Sequence, residues 1–247
     1  MTVEAGSSGQ ARCFVQGEQL VKRYGTDHAS YDALRGIDFR AAAGEFVAIR
    51  GPSGCGKSTL LHLLGAMDRP SSGEVWLAGE RLDTLTLDAL ALVRRRQVGF
   101  VFQMFNLLPS MTVTENVALP LLLDGVSETE AMGRSKAALQ DVDLVALSEK
   151  LPSQLSGGEM QRTAIARALA IDPKLVIADE PTGSLDSTNG RLVLELLQNV
   201  NSSKGITVLM ATHSEEAAAF AHRSVHLRDG KIHLERETSN RVVSAPL

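Results

Sequence analysis

The strongest constraint on the fold is a strand that runs directly into a glycine-rich loop and out into a helix. Residues 37–50 alternate and then turn apolar through FVAIR. Gly51-Pro52-Ser53-Gly54-Cys55-Gly56-Lys57-Ser58-Thr59 follows, and a helical pattern covers Lys57–Ala66. The loop fits G-x-x-x-x-G-K-[ST] at every required position, a phosphate-binding loop when strand precedes and helix follows. Gly51, Gly54 and Gly56 lack a Cβ, so backbone amides can close around phosphate oxygens. The helix start behind them adds about half a positive charge. Lys57 is set to reach the β- and γ-phosphates, and the Ser58 hydroxyl to ligate Mg²⁺. The loop alone does not separate ATP from GTP, or a motor from a kinase.

A second element narrows the chemistry. In KLVIADEP (174–181) the apolar run Leu175–Asp179 reads as a strand inside a parallel sheet. Asp179 and Glu180 emerge at its C-terminal end, where α/β sheets bind ligands. Asp179 would orient Mg²⁺ through its water shell. Glu180 would take a proton from the attacking water, or polarise it. Two acids after a strand are common in solvated loops. Their place after a phosphate loop and before Pro181-Thr182-Gly183 gives them a task.

The rest of the chain fits a mostly parallel α/β sheet. Strands are expected at 74–82 (with a turn), Val98–Phe102, Ile206–Ala211 and 225–227, and helices at Glu159–Ala170, Ser187–Val200 and Ser214–Ala221. Asp229-Gly230 reads as a hairpin turn. A helical pattern from about residue 88 suggests an insert between two halves of the sheet. The 247 residues carry 25 Lys+Arg against 29 Asp+Glu, a net charge of −4 that argues against general nucleic-acid binding. The two cysteines, Cys13 and Cys55, do not form a disulfide framework and fit a reducing compartment. No apolar run approaches the roughly 20 residues that span a bilayer, so work at a membrane would need another chain. His213, His222 and His226 lack metal-site spacing.

The most informative octet is LSGGEMQR (155–162). Ser156 is a good N-cap, and Gly157-Gly158 at a helix start make a second anion site. One chain then carries two phosphate-binding helix starts. If they lie on different lobes, one nucleotide cannot meet both from one chain; two chains head-to-tail can each close the other's ATP. Ser-Gly-Gly before a helix is by itself only a capped start, but the full octet is specific.

With these motifs the chain, over residues 14–235, resembles the nucleotide-binding subunit of an ATP-binding-cassette (ABC) transporter. The resemblance implies a RecA-like parallel sheet, an antiparallel β subdomain and a helical insert at about 88–158; residues 1–12 and 236–247 read by composition as flexible tails. It implies ATP and Mg²⁺ as ligands and a homodimer. By this resemblance Tyr24 (LVKRYG) would stack on adenine, and Gln103 (after GFVF) would contact Mg²⁺ or water and sense a membrane partner. Ser184-Leu185-Asp186 would cross between protomers, and His213 (LMATHS) would contact the γ-phosphate. The segment VGFVFQMFNLLPSMTVTENVALPLL (98–122) is similar to the lipoprotein-releasing (LolD) and macrolide-exporter (MacB) branch. That branch implies an FtsX/MacB-type permease and a peripheral place on the cytoplasmic face of the inner membrane. Phe105, Leu107, Leu108 and Met111 would form an apolar patch, either lobe core or a socket for a permease helix. Ser184 and Ser214 depart from the Asn and Asp usual in this branch, which puts turnover rate in question. A soluble ABC ATPase of translation or repair, and a P-loop kinase, remain the alternatives.

Overall fold

The structure, a computed structural model, describes residues 13–25 and 30–238. The expected tail at 1–12 lies outside these residues, as does 239–247 of the second tail. Strands β1 (Cys13–Tyr24), β2 (Tyr31–Ala42), β4 (Ser72–Leu77) and β5 (Glu80–Arg81) form an antiparallel sheet in the order β2-β1-β4-β5. A second sheet has the order β10-β9-β3-β8-β7-β6. It comprises β3 (Phe46–Arg50), β6 (Val98–Phe102), β7 (Leu175–Asp179), β8 (Thr207–Thr212), β9 (Arg223–Arg228) and β10 (Lys231–Glu237). All its pairings are parallel except the β9–β10 hairpin. Strand β7 sits between parallel neighbours, as its unbroken apolar run requires. Strand β10 continues through Glu237, two residues into the segment expected as a tail.

The α-helices among the described residues are α1 (Lys57–Leu64), α2 (Leu87–Gln97), α3 (Val113–Leu123), α4 (Glu128–Asp141), α5 (Gly157–Leu169), α6 (Ser187–Lys204) and α7 (Glu215–Ala218). Within the stretch read as helical from 88, strand β6 belongs to the parallel sheet, α2 packs on it from before, and α3–α5 follow. Among the described residues, no helix is long and apolar enough to cross a membrane.

Successive strand residues point to opposite sheet faces, so the parallel sheet divides the core in two. Val47, Ile49, Leu175, Ile177 and Leu209 pack with Leu60, Leu61 and Leu64 of α1. Phe46, Ala48, Val176, Ala178 and Met210 pack with Ile165 and Leu169 of α5 and Val193 and Leu197 of α6. The helix behind the phosphate loop and the helix behind the Ser-Gly-Gly turn therefore lie on opposite faces of one sheet.

Candidate nucleotide site

The phosphate loop is fixed from below by close backbone approach. A Cβ on Gly51 would lie 2.6 Å from Cys55 Sγ and closer still to the Leu227 carbonyl oxygen. At Gly56 (φ 106) a Cβ would meet the Ala33 carbonyl oxygen at 2.6 Å. Glycine is what permits this packing against β2 and β9. Cys55 is buried beneath the loop, and burial pushes its thiol pKa up. Pro52, Ser53, Gly54 and Ser58 face solvent, and Thr59 is half-buried. Lys57 is only 7% exposed, and its Nζ donates to the carbonyls of Gly51 (2.9 Å) and Pro52 (3.1 Å). Tyr24, at the end of β1, donates its hydroxyl to Asp68 Oδ2 at 3.2 Å. The Lys22 ammonium lies 5.1 Å from the ring centre, and burial raises the phenol pKa.

Asp179 and Glu180 stand at the C-terminal edge of β7. Glu180 adopts a left-handed backbone (φ 48), held by its amide donating to Ala211 O and its carbonyl accepting from Gly183 N, both at 3.0 Å. Such strain costs about 1–3 kcal/mol and gathers at functional sites. It turns the carboxylate between two partners. Glu180 Oε1 is 3.7 Å from Lys57 Nζ, and Oε2 is 3.0 Å from His213 Nδ1. His213 leaves the end of β8 with its side chain 68% exposed. Ser214 takes over as N-cap of α7, accepting from Ala217 N at 3.2 Å, a task that aspartate performs equally well.

A divalent cation fits this edge. Asp179 Oδ1 is buried with no hydrogen-bond partner among the described residues. Ser58 and Gln103 supply exposed oxygens, and the Gln103 amide lies against Gly183. No group of three His, Cys, Asp or Glu able to hold a metal occurs among the described residues. A sparse hard-oxygen set suits Mg²⁺, which keeps waters and substrate phosphates as ligands.

The Ser-Gly-Gly turn is built as a capping box. Ser156 Oγ accepts from Glu159 N at 3.3 Å, and Glu159 Oε2 accepts from Ser156 N at 2.7 Å. The Ser156 amide is the main reason that the Glu159 carboxyl titrates below its usual range. The turn packs on the start of α6: a Cβ on Gly157 would sit 3.3 Å from Leu185 Cδ2. A Cβ on Gly158 would sit 2.7 Å from Asn189 Cγ and closer still to Oδ1. Asn189 N donates to the α6 cap Asp186 at 2.9 Å, which depresses the Asp186 pKa. Gly158→Ala must therefore displace Asn189 from this cap, an overpacking cost of about 1–3 kcal/mol. Turnover is expected to fall about tenfold, equal to about 1.4 kcal/mol of barrier. Nucleotide binding at the variant's own phosphate loop, read by fluorescence titration, should hold. Unchanged turnover would show that this tight packing is dispensable.

Sequence reasoning passed over two side chains of α5. Gln161 Nε2 donates to Pro181 O (2.7 Å) and Phe102 O (3.3 Å). Arg167 donates through Nη2 to Phe105 O (2.7 Å) and through Nη1 to Asn106 O. Phe105 and Asn106 are both left-handed (φ 54 and 51), so Arg167 clasps a strained turn just after Gln103. The readable signal was a glutamine at a core-facing helical position, in step with Gly158, Ile165 and Ala168.

An apolar groove of about 440 Å³ opens between α2, β6, α3 and the end of α5, with Met67, Phe100, Pro120 and Leu123 among its walls and Arg94 and Arg95 beside them. It lies next to the Phe105–Met111 patch, of which Leu108 is exposed and Phe105, Leu107 and Met111 are half-buried.

A phosphate loop, an acid pair and a histidine converging on one sheet edge define a nucleotide hydrolase. The model of the ABC transporter family matches residues 34–183, and the chain belongs to that family. It is an ATP-binding subunit of the LolD/MacB kind and an ABC-type ATPase. The lipoprotein-releasing system ATP-binding protein LolD of Geobacter metallireducens is 46% identical over 213 residues, 86% of this chain and 95% of that protein. The macrolide export ATP-binding/permease protein MacB of Nitrosomonas europaea is 45% identical over 227 residues. That match covers 92% of this chain but 34% of MacB. Among solved structures, an ATP-binding cassette of Methanocaldococcus jannaschii superposes with a TM-score of 0.84 at 39% identity. It covers 92% of this chain and 99% of that one, and is a dimer in a post-hydrolysis state bound to ADP and Pi.

Proposed function

We propose that two copies of this chain close head-to-tail around ATP and drive a membrane permease of the FtsX/MacB type. The observation that carries the dimer is the placement of α1 and α5 on opposite faces of one sheet. The Ser156 turn is then free to meet a nucleotide held by the partner's phosphate loop, and the dimeric relative supports this reading.

In this reading Tyr24 stacks on adenine, and Gly51–Thr59 wrap the phosphates. Lys57 leaves its loop carbonyls for the β- and γ-phosphates. Ser58, Gln103 and Asp179 hold Mg²⁺, which neutralises phosphate charge when bound. Glu180 accepts the proton of the attacking water, and His213, already 3.0 Å from it, contacts the γ-phosphate. Ser156, Gly157 and Gly158 close the site from the other chain, with Asp186 at the crossing. Closure is driven by ATP because only the closed state uses both helix starts.

The permease reading rests on the groove beside Gln103. Its apolar walls and the arginines beside them suit a short amphipathic helix bearing acids. Motion of Gln103 on ATP closure would pass to that helix, and the subunit would sit on the cytoplasmic face of the membrane. Leu123 is 64% exposed at the groove, so Leu123→Asp should fold and hydrolyse ATP normally. A buried charge facing an apolar helix should lower co-purification of an FtsX/MacB-type permease from detergent-solubilised membranes by about tenfold or more. Equal recovery of that permease with parent and variant would place its docking elsewhere. Recovery of ribosomes or DNA ends instead would favour a soluble role.

A further inference from the structure

We infer that Gln161 is a positioning residue that ties the Ser156 helix to the catalytic groups of its own chain. Its side chain is fully buried, at 0% exposure, about one turn into α5 on the face that meets the sheet. The two amide hydrogens go to two different loops. One reaches the carbonyl of Phe102, the residue before Gln103, and the other the carbonyl of Pro181, the residue after Glu180. The ends of β6 and β7 are thus pinned to the same side chain, each one peptide away from a group at the hydrolytic edge.

Packing alone does not explain the choice of an amide. Gln161 Oε1 is buried without a hydrogen-bond partner among the described residues, which a residue kept only to fill space would avoid. Because both hydrogens are engaged, the amide cannot turn over to rescue that oxygen without losing both carbonyls. The same helix grips the Gln103 loop again through Arg167, and its cap packs against Asn189 of α6. Helix α5 is therefore one rigid piece with the Ser156 cap at its start and Gln161 one turn further on. This inference rests on the head-to-tail reading: when the cap closes on the partner's ATP, Gln161 carries that displacement to Gln103 and Glu180 of its own chain. The link would make each site's catalytic geometry depend on occupancy of the other.

Gln161→Met tests it. Methionine keeps the length and removes the two donors and the unpaired oxygen, so the core can stay filled. A small misplacement of reacting groups can cost as much as about 10²-fold. The expected result is a kcat lower by about tenfold or more with KM for ATP within about twofold. In a Glu180→Gln background, ATP should still drive the Gln161→Met chain into dimers. Turnover within about twofold of the parent, with the variant folded, overturns the inference. So does a fall in kcat that comes with a large rise in KM and a lower Tm, which marks a merely structural role. If Gln161→Met fails to fold, Gln161→Leu is apolar, of similar volume and again without a donor; the same outcomes apply. Failure of the Glu180→Gln parent itself to dimerise with ATP would overturn the head-to-tail reading instead, and the coupling role with it.

Discussion

Glu180→Gln should bind ATP normally and hydrolyse almost none. Glutamine matches the carboxylate in shape, so it can keep the left-handed turn at φ 48 and the approach to His213. What it loses is a basic oxygen. Loss of general-base assistance is worth about 10²–10⁴-fold in kcat. Removing a negative charge 3.7 Å from Lys57 should not weaken phosphate binding, because the ammonium is freed for the nucleotide. With hydrolysis blocked, the closed state accumulates. ATP should therefore move the variant from monomer to dimer on size-exclusion chromatography, while ADP should not. Full turnover by Glu180→Gln would remove Glu180 from the role of base and leave the strained backbone without its chemical reason.

Much of this edge was legible in the sequence because its motifs are local. The phosphate loop, the apolar strand ending in Asp179-Glu180 and the Ser156 cap each depend on residues adjacent in the chain. The structure builds all three within a residue or two of the expected bounds. Strand β7 lies between parallel neighbours as its composition requires. Strands β1 and β2 were much harder to read. Gln19 (φ 46) forms a bulge in β1, with register shifts between Gly17, Leu20 and Val21. A bulge breaks the alternation on which strand recognition depends. Only the family resemblance supplied the antiparallel sheet. Gln161 and Arg167 were missed for a different reason. Their partners are backbone carbonyls 20 to 62 residues away, and a carbonyl leaves no mark on the sequence. The groove was likewise displaced from the expected patch. Its walls come from α2, β6, α3 and the end of α5, elements brought together by the packing of the sheet.

The central claim is that one site is made by two chains, and complementation between two broken chains tests it most directly. Lys57→Ala removes the ammonium that lies 3.7 Å from Glu180 but leaves the Ser156 cap intact. Ser156→Arg keeps the phosphate loop but removes the capping hydroxyl and sets a bulky cation at the helix start, where the dipole already repels it. Each variant alone breaks both sites of its homodimer, and each should lose on the order of 10²-fold or more in turnover. Mixing them creates heterodimers in which one site is doubly broken. The other joins the good loop of the Ser156→Arg chain to the good cap of the Lys57→Ala chain. The measurement is ATP-dependent crosslinking between the two differently tagged chains, read beside ATPase activity. The account predicts crosslinks between unlike chains in the mixture, none between like chains, and a partial return of hydrolysis. A mixture that neither crosslinks with ATP nor hydrolyses it would contradict a nucleotide site shared between two copies of this chain.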